Sequence, residues 1–525
     1  MSTLTVFHYH LRTGGITQVI TSSLSSLITA VNTVRLSRIR LVSGSREQAA
    51  EVTTKIRSVA GNHSDRNIEV DCETLPEIGY TSEMDHEPEV DELAQLLTER
   101  FSGDIWWIHN YHIGKNPPFT EALLQIAAER PQQQMVLHIH DFPESGRYSN
   151  LSALHTTVRR PLYPSGPNVR YAVINSRDRE LLVSAGIPSD RVFLLNNPVS
   201  ATAPPRTVPA RRQELRSWAA GQAVRWEDEG SLFLYPVRTI RRKNVLEAAL
   251  TVKLLPEPAN LVVTLPGTSS REKPYSDLVA QCFSDGLVPG VWGIGGQLSA
   301  GGFTFPELLA SADALVSSAV QEGFGYLFID AVRQRLPLLA RELDILEGIK
   351  PLFSAYPAHF YRQLSVPLDK ADSTELGILY RDNLEKLRGL VSAARLESLH
   401  YEVQELLTAS NIDFSYLSVD MQRRVLEESD DPAFLQELHR LNPGIARSGS
   451  DLLNAEVPEK HAEIQRLFGP AAHAAGMEEI ISSLQKSGPT APPAPAASGR
   501  AGNSVHERIL AGFTHLDYLR LLYFQ

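Results

Sequence analysis

The strongest constraint in this 525-residue chain is an alternation of short apolar, strand-forming runs with helical stretches, and the chain carries it twice. The first series predicts strands at 4–10, 34–42, 104–109, 135–140, 169–175 and 192–195. Helices are expected between them at 17–30, 89–101, 118–128 and 177–185, where apolar positions recur at helical spacing. Strands separated by helices of this length call for right-handed crossovers and a parallel sheet. Residues 200–209 then bring three prolines among small residues, the composition of a linker between compact units. The rhythm restarts with strands at 231–236, 260–265, 290–292 and 314–317. The helices of this second series fall at 245–255, 276–283, 305–312 and 326–335, the last ended by Pro337.

From residue 371 the pattern becomes helix after helix (376–395, 399–409, 419–429, 433–441), with no strand expected. Residues 486–503, rich in Pro, Ala, Gly and Ser, read as a flexible connector, and a last amphipathic helix is expected at 505–523. No short internal repeat is present. The expected organisation is therefore an α/β fold of two doubly wound, Rossmann-like domains facing a cleft, with an additional C-terminal helical region. Residues 1–200 with helix 505–523 form the first domain and 210–365 the second. Residues 371–485 form a helical insertion, and 486–503 a linker. Ligands in such folds sit at the carboxyl ends of the strands.

Composition narrows the function classes. Hydrophobic residues at 42% and charged residues at 21% suit a chain that buries a sizeable core, and argue against wholesale disorder. The formal net charge of -11 indicates no general polyanion-binding surface, so nucleic acid is not expected as a partner. Cys72 and Cys282 lie far apart, which excludes a disulfide framework and fits a reducing compartment. No basic segment followed by an apolar one opens the chain, and no apolar run reaches the roughly 18–20 residues of a membrane span. A cytoplasmic protein without membrane insertion is expected. The last four residues, Leu-Tyr-Phe-Gln, resemble a protease-tag scar, although Arg520-Leu521 before them do not complete that motif.

Two segments carry most of the chemistry. In Ser318-Ala319-Val320-Gln321-Glu322-Gly323-Phe324-Gly325-Tyr326-Leu327-Phe328-Ile329-Asp330-Ala331, a strand ends, a glycine-containing turn follows and a helix begins. That arrangement aims backbone N–H groups and a positive helix end at an anion such as a diphosphate. Glu322 and Asp330 flank the turn, where carboxylates can accept hydrogen bonds from sugar and ribose hydroxyls. An ordinary strand-to-helix turn with solvated acids fits the same spacing. In Leu234-Tyr235-Pro236-Val237-Arg238-Thr239-Ile240-Arg241-Arg242-Lys243-Asn244, Arg238 and Lys243 fall in the loop after the second domain's first strand. Fixed cations there would stabilise negative charge growing on a leaving diphosphate. A solvated surface patch is the alternative reading of four cations in six residues.

Taken together and in this order, these segments resemble the retaining GT-B glycosyltransferases of glycosyltransferase family 4. In that family an Arg and a Lys five residues apart bind the donor diphosphate, and here they match Arg238 and Lys243. The family's E-G-F-G-x4-E-A element matches Glu322, Gly323, Phe324, Gly325, Asp330 and Ala331, with Asp330 in place of the second Glu. The resemblance implies that Glu322 contacts the donor sugar, that the backbone near Phe324-Gly325 meets the phosphates, and that Asp330 binds the ribose. Thr13-Gly14-Gly15 looks like the N-terminal Gly-Gly loop near donor phosphate and acceptor. Leu265-Pro266-Gly267 sits where a glycine loop is expected near the nucleotide. Asn175-Ser176, Gly186-Ile187-Pro188 and Asn196-Asn197-Pro198-Val199 resemble the end of the family's first domain, and the terminal helix resembles the one that braces it. His140-Asp141 resembles the family's histidine at the donor sugar and reaction centre.

The likeness implies a nucleoside-diphosphate sugar as donor, a hydroxyl acceptor, no cofactor and no metal. A GT-B sugar phosphorylase, a nucleotide-sugar epimerase and a non-catalytic sugar- or nucleotide-binding scaffold remain as alternatives. Three histidine pairs end predicted strands: His8 with His10, His109 with His112, and His138 with His140. His138 and His140 face one side of a strand, a geometry zinc could use, but no supporting thiolate or carboxylate pattern accompanies them. His8, His10, His109 and Asp141 are expected to line an acceptor pocket or to pack structurally. Trp106-Trp107 is expected in the core, with sugar stacking as the alternative. Phe303-Thr304-Phe305 is a weaker candidate to flank a base. Asp71-Cys72-Glu73 and Glu227-Asp228-Glu229 read as solvated loops. The helical region has no counterpart in the family and is expected to serve oligomerisation or acceptor binding.

Overall fold

The computed structural model describes residues 2–30, 36–63, 68–200, 209–486 and 501–522. The start of the strand expected at 34–42, most of the linker at 200–209, most of the connector at 486–503 and residues 523–525 lie outside the described residues.

Seven parallel strands form the first sheet: β1 Ser2–His8, β2 Leu36–Ser43, β3 Glu69–Thr74, β4 Ile105–His109, β5 Met135–Ile139, β6 Val169–Val173 and β7 Val192–Leu194. Their order is β3-β2-β1-β4-β5-β6-β7. Continuous apolar strands such as Ile105–His109 are buried along their whole length, as strands covered by helices on both faces must be. The order reverses between β1 and β4, and the chain leaves those two strands in opposite directions, which opens a crevice at their carboxyl ends.

A second parallel sheet repeats the plan with six strands: β8 Ser231–Arg238, β9 Ala259–Leu265, β10 Gly290–Trp292, β11 Ala314–Ser317, β12 Leu338–Arg341 and β13 Ala358–Tyr361. Its order, β10-β9-β8-β11-β12-β13, reverses between β8 and β11. The chain thus contains the two doubly wound Rossmann-like sheets of a GT-B fold. Sequence reasoning passed over β3, β12 and β13 and the helices Ala49–Asn62, Tyr148–Thr157 and Pro209–Ala220, and did not resolve Pro443–Asn454, His461–Phe468 and Pro470–Lys486 within the region it read as helical.

Two compact units result. One gathers the described residues up to 200 with 462–515, the other those of 201–461 with 516–525. The helical stretch expected as one insertion at 371–485 is therefore divided. Helices Lys370–Leu384, Ala393–Leu406, Val419–Glu428, Pro432–Leu441 and Pro443–Asn454 belong to the second unit. Helix Pro470–Lys486 joins the first, because Met477, Ile480, Ile481 and Leu484 complete the core around Leu4, Val6, Ile20 and Leu24. Burying such side chains stabilises by about 1.5–3 kcal/mol each. Arg170 fastens that helix further by donating to the Ser483 hydroxyl at 2.7 Å and to its carbonyl at 3.0 Å.

Three further expectations are corrected. The helix at 376–395 stops at Leu384, and Gly389, at φ 82°, turns the chain before Ser392 caps the next helix. The helical region contains a strand after all: β15 Asn411–Asp413 pairs antiparallel with β14 Ser365–Pro367. The terminal helix runs Ala501–Phe513 and not to 523. Thr514, fully buried, closes its last turn, and residues 516–522 pack in the second unit. Arg508 on this helix donates to the Ala185 carbonyl at 3.0 Å, holding it in the first unit. No helix among the described residues is long and apolar enough to cross a membrane.

Candidate functional site

The two segments singled out in the second unit meet at its topological switch point. Leu232–Tyr235 of β8 are fully buried, and the β8–β9 register shifts between Tyr235 and Arg238. Pro236 lies in that span and has no amide to give the ladder. The chain then forms a short 3-10 turn, Arg241–Lys243, and enters helix Val245–Lys253. From the segment that leaves the neighbouring β11, the Val320 N–H donates to the Arg242 carbonyl at 2.9 Å, and the Ser318 hydroxyl donates to the Asn244 carbonyl at 2.8 Å. The Lys243 ammonium consequently pairs with the Glu322 carboxylate, with side-chain exposures of 15% and 13%. Burial pushes the Lys243 ammonium below its ordinary range, and the Glu322 charge opposes that shift.

Beside this pair, Gly325 stands at φ 86° as the residue before helix Tyr326–Gln334. No acidic side chain occupies the helix's first turn, so its positive end is uncompensated by its own residues. Phe324 is buried and meets Tyr326 edge to face at 4.9 Å. Asp330 is bound to Arg333 one turn along at 2.6 Å, and burial raises its carboxyl's pKa against that cation. Arg238 is half exposed and pairs with Glu272 at 3.1 Å. Glu272, which the sequence reading did not identify, also accepts the Thr268 and Ser269 N–H groups at 3.0 and 3.1 Å. Gly267 belongs to this corner: a Cβ there would stand 2.8 Å from both the Thr239 carbonyl oxygen and the Glu272 Cβ. Arg238, Lys243, Gly267 and Glu322–Gly325 are thus neighbours around one end of the sheet. Phe303 is instead buried between Trp218, 5.4 Å away, and the Arg211 guanidinium at 4.1 Å.

At the corresponding end of the first sheet, His8, His109, His138 and His140 gather along adjacent strands. His109 and His138 are register partners of β4 and β5. The His109 Nδ1 and His140 Nε2 share a hydrogen bond at 2.9 Å. Burial drives all four imidazoles toward the neutral form, with His8 lowered to about 3 and His140 to about 4. The ring nitrogens of His109, His138 and His140 lie within 4.8 Å of one another. Trp107, however, donates its indole N–H to His138 Nδ1 at 3.1 Å. An indole only donates, so Nδ1 holds the lone pair and Nε2 carries the proton. At Nε2, His138 therefore carries a donor, where a metal bound to that atom would require a lone pair.

His10 Nε2 meets the Tyr80 hydroxyl at 3.1 Å, and Asp141 pairs with Arg147 at 3.1 Å. Asn110, buried at φ 52°, accepts the His140 N–H at 2.8 Å and so sets the loop of His140-Asp141. Its signal in sequence was slight: an Asn directly after a strand, the residue type that tolerates the left-handed conformation. Gly14 precedes helix Gly15–Thr29 without a side-chain cap or first-turn acid. Trp106 and Trp107 are buried in the core, as expected. Asp71 and Glu73 are strand residues of β3 paired with Arg40 and Arg100, so the solvated-loop reading of that triplet is corrected.

No protein-family model matches the chain. It is similar from end to end to the mannosylglucosyl-3-phosphoglycerate synthase of Petrotoga mobilis, with 28% identity over 533 residues and 100% of both chains covered. The resemblance to GT-B glycosyltransferases is borne out. Among solved structures, Anabaena HepE in complex with UDP and glucose aligns over 92% of this chain and 100% of its own, at 12% identity and TM-score 0.45. Sucrose-phosphate synthase of Thermosynechococcus elongatus aligns over 93% and 100%, at 12% identity and TM-score 0.47.

Proposed function

We propose that the chain is a retaining glycosyltransferase that moves a hexosyl group from a nucleoside-diphosphate sugar to a hydroxyl of a sugar-phosphoglycerate acceptor. The observation that carries this reading is the meeting of Lys243 and Glu322 beside the helix start at the second sheet's switch point. The acceptor class comes from the name of the Petrotoga relative. In this reading Arg238 and Lys243 take the diphosphate, assisted by the backbone of Gly323, Phe324 and Gly325. Glu322 then turns from Lys243 to the sugar hydroxyls, Asp330 reaches the ribose, and Gly267 lets the backbone approach the nucleotide.

In the first unit, Gly14 and Gly15 approach the phosphate, His140 serves the reaction centre, and His8, His10, His109 and Asp141 serve the acceptor. Positive charge fixed before the reaction stabilises the negative charge that develops as the glycosidic bond to the diphosphate breaks. The departing phosphate takes the acceptor proton, and attack occurs on the face the leaving group vacates, so the anomeric configuration is kept. No protein nucleophile, metal or cofactor takes part. The protein works in the cytoplasm.

Thermal unfolding with UDP, GDP and ADP identifies the base. A nucleotide at a hundred times its dissociation constant stabilises by about 2.7 kcal/mol. Transfer from the matching nucleotide hexoses is then followed by NMR of the product's anomeric proton. Lys243→Ala is expected to lower turnover about 10²–10³-fold, and a rate close to the unsubstituted chain's would remove the donor-site assignment. Phosphate-dependent product cleavage, acceptor-free epimerisation, or binding without turnover would establish one of the alternatives instead.

A further inference from the structure

Directly after Lys243 the chain turns through Asn244, which is fully buried at φ 48° and ψ 50°. A residue other than glycine keeps that conformation when its surroundings over-determine it. Five hydrogen bonds do so here, one of them from the Glu247 N–H to the Asn244 carbonyl at 3.0 Å. The Asn244 N–H donates to the Arg241 carbonyl at 2.9 Å, and its carbonyl accepts from Ser318. Its side-chain amide donates to Glu247 Oε2 at 2.5 Å, and its Oδ1 accepts from Gln422 Nε2 at 3.1 Å. The Lys243 carbonyl is held from the other side by the Tyr235 hydroxyl at 2.7 Å.

Glu247 is the centre of a wholly buried ion cluster. Arg341, at the end of β12, donates to both its oxygens at 2.8 Å, and the Tyr361 hydroxyl donates to Oε1 at 2.9 Å. The same guanidinium donates to both oxygens of Asp413, at 2.9 and 2.7 Å. Asp413 accepts the Ser415 hydroxyl at 2.8 Å, and Ser415 in turn accepts from Arg520 at 2.8 Å. Burying three charges in this way is costly, and apolar side chains of equal volume often serve stability as well or better. The cluster's position suggests what it provides, because its contacts end on the peptide that carries Lys243.

We propose that Asn244, Glu247, Arg341 and Asp413 are positioning residues that fix the turn of Lys243, so that its ammonium stays aimed at the donor diphosphate. This rests on the proposed role of Lys243 and adds four residues to it, three of them remote in sequence from Lys243 or carried on the helix that follows.

Glu247→Gln keeps the side chain's volume and removes its charge. In the full-length chain, three quantities are measured: the melting temperature, kcat and KM for the nucleotide sugar, and the rate of Lys243 acetylation by acetic anhydride relative to Lys253, read by peptide mass spectrometry. The expected result is a cooperative melt, a kcat lowered about 10–100-fold with KM changed less than about threefold, and a several-fold faster relative acetylation of Lys243. Gln422→Leu removes a contact to Asn244 without touching a charge, and is expected to move the same readouts less. It keeps the test decisive if Glu247→Gln does not fold. An unchanged acetylation ratio and kcat in a folded variant, with only the melting temperature lowered, would overturn the proposal. Should the unsubstituted chain transfer no sugar while the acetylation ratio still shifts, the positioning stands and the transferase reading falls.

Discussion

Acid should unfold the first unit at a pH unusually close to neutral, and the buried histidines allow the size of the effect to be worked out. His8 is lowered to about 3 by burial first and by His10 and His140 next. His112, His140 and His473 are each lowered to about 4, again chiefly by burial, with Glu144 or Asp141 opposing it for the first two and the hydrogen bond to the Asn196 carbonyl for the third. All four belong to the first unit. In the unfolded chain each titrates near 6.5. As pH falls below about 6.5 the unfolded state takes up protons that the folded state refuses, so stability is present above that pH and drains away toward the folded values near 4. Each histidine contributes up to about 1.4 kcal/mol per pH unit in that window, and four together about 5 kcal/mol per unit. His109 and His138 are shifted in the same direction and steepen the loss. A total stability of about 5–15 kcal/mol would be consumed within about one to three pH units of 6.5. The measurement is calorimetric melting from pH 7.5 to 4.5, repeated on His473→Gln, whose slope should be shallower by about 1.4 kcal/mol per pH unit. A melting temperature that stays level between pH 6.5 and 5 would refute the neutral-histidine argument.

Other outcomes follow from single positions. Gly267→Ala places a methyl against the Thr239 carbonyl and Glu272; it should cost about 1–3 kcal/mol of stability and weaken nucleoside diphosphate binding, read by thermal shift with and without the nucleotide. Gly325→Ala meets a φ of 86° and side chains of Phe328, Ile345 and Ile349 at 3.0–3.1 Å; denaturant unfolding should show a loss of about 1–2 kcal/mol, with turnover lowered further. Ile480→Ala should destabilise the first unit by about 2–5 kcal/mol, seen as a lower denaturant midpoint with nucleotide binding intact.

The parts of the fold that sequence made legible are those where one physical signal acts alone. Strands 290–292 and 314–317 coincide with β10 and β11, because short apolar runs bounded by glycine and polar residues admit few other readings. β12 was passed over because Leu338–Arg341 follows a helix so closely, after Pro337, that the two periods merge. Helix Pro470–Lys486 falls in the stretch read as helical but was not itself singled out, and its membership of the first unit depends on Met477, Ile480, Ile481 and Leu484 finding a core nearly five hundred residues away in sequence. The site divides the same way. Arg238, Lys243 and Glu322 stood out through local spacing together with the resemblance to a family's motifs, whereas Glu272 is an ordinary glutamate until the loop after β9 folds it onto Arg238. Arg341 and Asp413 gave no signal either, since an ion pair across 72 positions is invisible to any local pattern.

The two sheets share a strand order over six strands, yet one switch point carries permanent cations and the other neutral imidazoles. Between β8 and β11 stand Arg238 and Lys243, and Arg241 and Arg242 lie in the same turn. At the ends of β1, β4 and β5 stand imidazoles that burial keeps uncharged. A diphosphate carries its charge before and after reaction, and permanent cations, like backbone N–H groups, hold it without a proton being taken up. In the proposed reading the acceptor's reacting hydroxyl is neutral on arrival and loses a proton as it reacts, so uncharged donors and acceptors of hydrogen bonds suit that hydroxyl, and the acceptor's phosphoglycerate anion is held by other groups. In that reading, the same topology serves two unlike groups because the residues after equivalent strands differ: guanidinium and ammonium groups in one sheet, neutral imidazoles in the other. Replacing His109 by Lys tests this division directly. If the first unit then gains nucleoside diphosphate binding while acceptor use falls, charge alone assigns the two roles; if neither changes, the imidazoles are packing and the acceptor is recognised elsewhere.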